Sequence, residues 1–125
     1  MMDQPSIREL VEAVREFLEK RAMPELKGHT AFHARVASNA LGIVARELEL
    51  GGGAADEEKK RLAALLGHDG PLDDLNRELC RIIRDGKIDL AKPELLDHLE
   101  KSMRDKIAID QPNYSGLKIA RARDV

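Results

Sequence analysis

Apolar residues recur at three- and four-residue steps along nearly the whole chain, which is the period of amphipathic helices. Ile7, Leu10, Val11, Val14, Phe17 and Leu18 draw one stripe, and Arg8, Glu12, Arg15, Glu16, Glu19 and Lys20 fill the opposite face. Ser6 with Glu9 forms a capping box just after Pro5. Pro24 disfavours a helical conformation at Met23, so the first helix is expected to stop near Ala22. A second helix is predicted from His29 or Thr30 to Leu50. It is the most apolar of the set: Phe32, Val36, Ala40, Ile43, Val44 and Leu48 recur among the small residues Ala31, Ala34, Ala37, Ser38, Gly42 and Ala45. Small side chains on several faces let neighbours approach closely. This helix is therefore expected to be central and the most buried, ending at Gly51-Gly52-Gly53.

The third helix is expected to start at an Asp56 cap, with Glu57 and Glu58 at the positive end of its dipole. It buries Leu62, Leu65 and Leu66 and closes at Gly67. Pro71 suits the first position of a fourth helix, with Leu72, Leu75, Leu79, Ile82 and Ile83 as its stripe up to Asp85-Gly86. Ile88 and Leu90 should tuck a connector against the core. Pro93 opens a fifth helix, with Leu95, Leu96, Leu99, Met103 and Ile107 inward, ending at Asp110 to Asn113. Residues 115–125 hold few large apolar side chains and a basic cluster of Lys118, Arg121 and Arg123, so a loosely ordered tail is expected there. No strand alternation, repeat or sustained heptad is visible. Short connections favour antiparallel neighbours, and the predicted architecture is an all-α, up-and-down bundle of four or five helices in one domain, 1–114.

Composition narrows the function classes. Aromatic residues are 2% of the 125 (Phe17, Phe32 and Tyr114), which removes the stacking platforms used to hold single-stranded nucleic acid. A net charge of −2 gives no electrostatic pull toward DNA, RNA or an anionic membrane. No apolar run approaches the roughly 20 residues of a membrane span. The N-terminal Met-Met-Asp-Gln-Pro lacks the basic-then-apolar pattern of a secretion signal. These features predict a soluble, cytoplasmic protein with no nucleic-acid or membrane partner. Cys80 stands alone, so neither an intrachain disulfide nor a Cys-based zinc cluster is available.

The run Ala31-Phe32-His33-Ala34-Arg35-Val36-Ala37-Ser38-Asn39-Ala40-Leu41-Gly42-Ile43-Val44-Ala45-Arg46-Glu47-Leu48, with Leu75 to Cys80 and Ile109 to Tyr114 in order and spacing, resembles a family of short bacterial proteins catalogued as a domain of unknown function. The likeness covers roughly residues 4–114. Members of that family occur beside, or fused to, aminoglycoside-phosphotransferase-like kinases, in loci that also encode acyl-CoA dehydrogenases. The resemblance thus implies a partner pathway and supplies no catalytic residues.

His29 and His33 lie four apart, a spacing at which two imidazoles can share a metal. Thr30 stands where the zincin signature needs Glu, however, and a polar helix start is the simpler role. Leu62 to Gly70, with His68-Asp69, is similar to the core of the metal-dependent HD phosphohydrolases. That resemblance implies His33 as an earlier ligand and Asp97 or Asp105 as a later one, around a metal that activates water. Gly67 interrupts the motif where it normally runs straight into His, and Gly-His-Asp-Gly-Pro is plain turn composition. Arg35, Asn39 and Arg46 punctuate the apolar second helix. Asn39 is expected to be buried and hydrogen-bonded to a neighbouring backbone; its sharper role is to line an anion pocket with His33 and Arg35. Cys80 reads as a small buried hydrophobe.

Two functional readings follow. The first is a non-enzymatic helical accessory module with no cofactor and no metal. It docks on a phosphotransferase-like kinase or an acyl-CoA-metabolising enzyme and self-associates, as a homodimer, through its first or fifth helix. The alternative is an HD-type phosphohydrolase centred on His33, His68 and Asp69.

Overall fold

The structure, a computed structural model, describes residues 3–124. Met1, Met2 and Val125 lie outside the described residues, and with them the start of the N-terminal segment and the last residue of the expected tail. All regular structure among the described residues is helical, and no strand occurs there. The elements are α1 (Ile7–Phe17), a first π turn (Leu18–Ala22), α2 (Met23–Glu25), α3 (Gly28–Arg46), a second π turn (Glu47–Gly51), α4 (Gly52–Leu66), α5 (Leu72–Arg84), α6 (Pro93–Asp110) and α7 (Ser115–Ala122). Packing divides the chain into two compact units, Met1–Leu50 and Gly51–Val125. The helices expected to share one domain over 1–114 are distributed between them.

In the N-terminal unit, Ser6 Oγ accepts from the Glu9 N–H at 3.2 Å, the cap that the sequence announces. Helical structure passes Ala22 and runs to Glu25 rather than stopping short of Pro24. Pro24 lies within this continuous helix and withdraws one backbone N–H from it, and the wider π turn ahead of it accommodates the ring and the change of phase. The chain then reverses through Gly28, whose φ of +62° a residue with a Cβ adopts only under strain. Arg8 reaches Glu49 at 3.5 Å, and Ser38 Oγ donates to Glu19 at 2.7 Å, so α1 and α3 are antiparallel.

The contact with α1 uses the small side of α3. Ser38, Gly42 and Ala45 are its buried residues. At Gly42 a Cβ would stand 3.3 Å from both the Arg15 and Arg46 guanidinium groups, so the absence of a side chain lets them lie across the helix. This overturns the expectation that the second helix is the most buried. Phe32, Val36 and Val44 are 61%, 48% and 44% exposed, and Asn39 and Ala40 are also exposed. A helix that is apolar on several faces can bury only those its neighbours cover, and within this unit close approach selected the small residues.

Gly51-Gly52-Gly53 does not end a helix. Residues 28–66 are helical without interruption, and Asp56 lies inside α4 instead of capping it. Glycine permits a break without imposing one, and the π turn at 47–51 takes up the irregularity within the helix.

The C-terminal unit holds the described core. α4 packs on α5 and α6, and α7 packs on α6. Leu62, Leu75, Leu79 and Leu95 form the buried centre, with Leu66, Leu72, Ile82, Ile83 and Ile88 against it. Gly67 closes α4 as expected, at φ +80°, its N–H bonded to the Ala63 carbonyl at 2.9 Å. Pro93 opens α6, while Pro71 caps α5 from one position outside it. Leu90 is 63% exposed, so only Ile88 tucks the connector inward. Cys80 is exposed, one step round α5 from buried Leu79. The tail expected to be loosely ordered contains α7 instead. Leu117 is buried, and Arg104 donates to the Ala120 carbonyl at 2.9 Å and pairs with Asp124.

Candidate functional site

The residues singled out in the sequence are placed separately. His29, His33, Arg35 and Asn39 are all exposed on α3, and Arg46 is half-buried at its end. His33 meets the Phe32 ring edge-on, with centroids 5.6 Å apart. Asn39, expected to be buried, thus lies on an exposed face of α3.

His68 and Asp69 project from the turn that follows Gly67. His68 Nε2 lies 2.7 Å from a Glu78 carboxylate oxygen, and Nδ1 lies 3.1 Å from the Asp69 carbonyl. Both partners are acceptors, so the ring satisfies them fully only when both nitrogens carry protons. These contacts raise its pKa above the ordinary value, the Asp69 carbonyl most and the Glu78 carboxylate next. Asp69 accepts from the Gly70 N–H at 2.8 Å and faces Lys59 at 3.7 Å. The pair thus staples a turn onto α5. Asp97 pairs with Lys101 at 2.9 Å. Among the described residues no group of three or more His, Cys, Asp or Glu is placed to hold a metal.

The buried polar feature of the C-terminal unit is one that pattern reading missed. His98 is 2% exposed, and its Nδ1 accepts from Arg61 Nε at 3.2 Å, while another Arg61 nitrogen donates to Ser102 Oγ at 3.2 Å. Burial, then the adjacent guanidinium, lowers the His98 pKa. The arrangement needs a neutral imidazole, and it straps α4 to α6. Leu95 is buried beside His98, whereas Leu96, Leu99 and Met103, expected to face inward, are 52%, 41% and 55% exposed. The signal was available: Leu95, His98 and Ser102 also recur at three and four residues, but polar members hide such a stripe from a search for apolar ones. A surface cavity of about 550 Å³ beside Arg61 is lined by Lys92, Glu94 and Asp97 as well. Its charges alternate in sign, and Arg61 already directs two donors at His98 and Ser102.

What the structure leaves open on a larger scale is apolar. On α1, Ile7, Leu10, Val14 and Phe17 are 49%, 43%, 49% and 58% exposed. Their spacing of 3, 4 and 3 residues puts them on one face, the a and d positions of a helix-packing seam. Val44 and Leu48 are open at the end of α3 that the Arg8–Glu49 pair holds beside the start of α1. No buried large apolar side chain is found in this unit among the described residues; Ala45 and Ser38 are the buried side chains there. No described helix is long and apolar enough to cross a membrane.

No curated protein and no solved structure matches the chain. A family described as a domain of unknown function, DUF6285, matches residues 24–114. The match starts later than the resemblance over 4–114 implied, so α1 precedes it and α7 follows it. It spans from α2 through the end of α6, well over half of the residues, and the chain belongs to the DUF6285 family.

Proposed function

We propose that the chain is a non-enzymatic, cytoplasmic interaction module that works through the apolar face of its N-terminal unit. The observation that supports this reading is the open seam of Ile7, Leu10, Val14 and Phe17 on a unit without a core of large side chains. Contiguous apolar surface of more than a few hundred Å² is rare on monomers and marks contact sites. His68 and Asp69 are engaged in a local staple, which favours binding over metal-assisted hydrolysis as the working chemistry. The resemblance read from the sequence points to a phosphotransferase-like kinase or an acyl-CoA dehydrogenase as the assisted enzyme, and the same face serves equally for a homo-oligomer.

Co-expression with a kinase and with a dehydrogenase of these classes, followed by co-purification and sedimentation, tests the reading. The expected result is a complex, with one of the enzymes or of the chain with itself, that Val14→Asp or Phe17→Asp dissolves while helicity is retained. A chain that sediments as a monomer at high micromolar concentration and retains neither enzyme overturns it.

A further inference from the structure

Resting on that reading, we infer that the occupant of the N-terminal face is a second copy of this chain, with the two α1 helices packed antiparallel about a twofold axis. The chain exposes 9249 Å². Two separate compact globules with the lengths of its two units would together expose only about 8,000 Å². The chain thus keeps on the order of 1,000 Å² more surface than self-contained globules need.

About half of each of the six side chains Ile7, Leu10, Val14, Phe17, Val44 and Leu48 is open. Together they offer on the order of 500 Å² of apolar surface, which is the apolar share, roughly 65%, of the ~800 Å² a protomer gives to a standard homodimer interface. An apolar area of this size is what one protomer gives to a standard homodimer interface.

The residues that flank the seam fix the orientation. With Ile7 and Val14 at a positions and Leu10 and Phe17 at d positions, the flanking positions on the side away from the α3 contact are Ser6, Ala13 and Lys20. A parallel pairing would set this flank against the partner's Val11 and Leu18 flank, which lies on the side that α3 already covers. An antiparallel pairing sets Lys20 against the partner's Ser6 and brings the two Ala13 positions together at the axis, where a small side chain allows close approach. It also stacks Leu10 on the partner's Val14 and Ile7 on the partner's Phe17, large against medium in every layer. Closed twofold dimers are the commonest homo-oligomers, and such an interface is self-complementary by construction.

The test is sedimentation of the full chain with single-cysteine cross-linking in a Cys80→Ser background. The wild type is expected to sediment as a dimer. Val14→Asp is expected to raise the dimer dissociation constant at least 100-fold with unchanged helicity, while Leu96→Asp on the open side of α6 leaves the dimer intact. Ala13→Cys is expected to form an interchain disulfide readily. Lys20→Cys is not, since the antiparallel arrangement keeps its two copies roughly 20 Å apart along the axis. A wild-type monomer, a dimer indifferent to Val14→Asp, or cross-linking of Lys20→Cys as fast as Ala13→Cys overturns the inference. A monomer that holds a partner enzyme until Val14→Asp releases it overturns the second copy alone and leaves the interaction-module reading standing; a monomer whose enzyme binding ignores that substitution overturns both.

Discussion

At the scale of single residues, two histidines in one unit have their protonation biased in opposite directions. His98 is buried as an acceptor of an arginine N–H, and burial lowers its pKa. His68 is an exposed ring between two acceptors, which raise its pKa. The linkage signs follow. For His98 the unfolded chain takes up a proton first as the pH falls below about 6.5, so the stability it contributes is present above that value and is lost on the way down to its folded pKa. For His68 the contribution is full below about 6.5 and is lost as the pH rises through its folded pKa. Denaturant unfolding measured from pH 5 to 8 should show His98→Gln flattening the acid limb and His68→Gln flattening the limb above neutrality. Slopes, rather than absolute stabilities, are the readout, since His98→Gln also disturbs packing. Equal slopes in wild type and variants would contradict both environments.

Burial decides a second pair of substitutions. Leu62 has no exposed surface, and truncating it to Ala should cost about 2–5 kcal/mol by loss of transfer energy plus a cavity. Val44 stands in the stretch that reads from sequence as the heart of the fold, and an Asp there would be expected to unfold the domain. At 44% exposure the charge remains hydrated, so Val44→Asp should change the stability of the isolated protomer by no more than about 0.5 kcal/mol. Urea melts of the two variants at dilute concentration separate the outcomes.

At the scale of elements, the helices and several of their ends were legible because their signals are local. Ser6 caps the N–H of Glu9 three residues on, Gly67 and Pro93 act through their own backbone, and each sits where the pattern put it. Less legible was which face of a helix turns inward, because that depends on what a helix meets. Residues of α3 satisfied several possible faces, and α6 presented a stripe of Leu96, Leu99 and Met103 next to the one it buries. The glycine triplet was misread for a related reason: glycine lowers the cost of ending a helix, but only the following chain decides whether it ends. The structure makes this testable. Gly52 and Gly53 are helical, and a Cβ at either would meet nothing within 4 Å. Gly52→Ala and Gly53→Ala should each stabilise the chain by about 0.5–1 kcal/mol. Gly67→Ala, at positive φ, should destabilise it by about 1 kcal/mol despite equally open space. Thermal melts of the three variants should therefore shift in opposite directions; a common direction would refute the placement of the helix boundary.

At the scale of the whole molecule, the two units differ in what holds them. Leu62, Leu75, Leu79 and Leu95 give the C-terminal unit a centre of fully buried side chains, joined by the Arg61–His98–Ser102 and Asn76–Glu58 hydrogen bonds. The N-terminal unit is held by a cap, by small-residue contacts at Ser38, Gly42 and Ala45, and by ion pairs such as Arg15–Glu12 and Lys20–Glu16, which at exposed sites are worth about 0–1 kcal/mol each. None of these three kinds of contact repays the entropy of ordering two helices by itself. Amide hydrogen exchange on the full chain should resolve this. The amides of α4 and α5 nearest Leu62 and Leu75 are expected to exchange only through opening at the global stability, while α1 and α3 open at a lower free energy. If the apolar face of α1 is covered by a second copy, protection in α1 and α3 must also rise with protein concentration, by a factor of ten for each 1.4 kcal/mol that assembly adds, whereas protection around Leu62 stays constant. Uniform protection across both units, independent of concentration, would mean that the N-terminal helices are self-sufficient and that the open seam on α1 needs no cover.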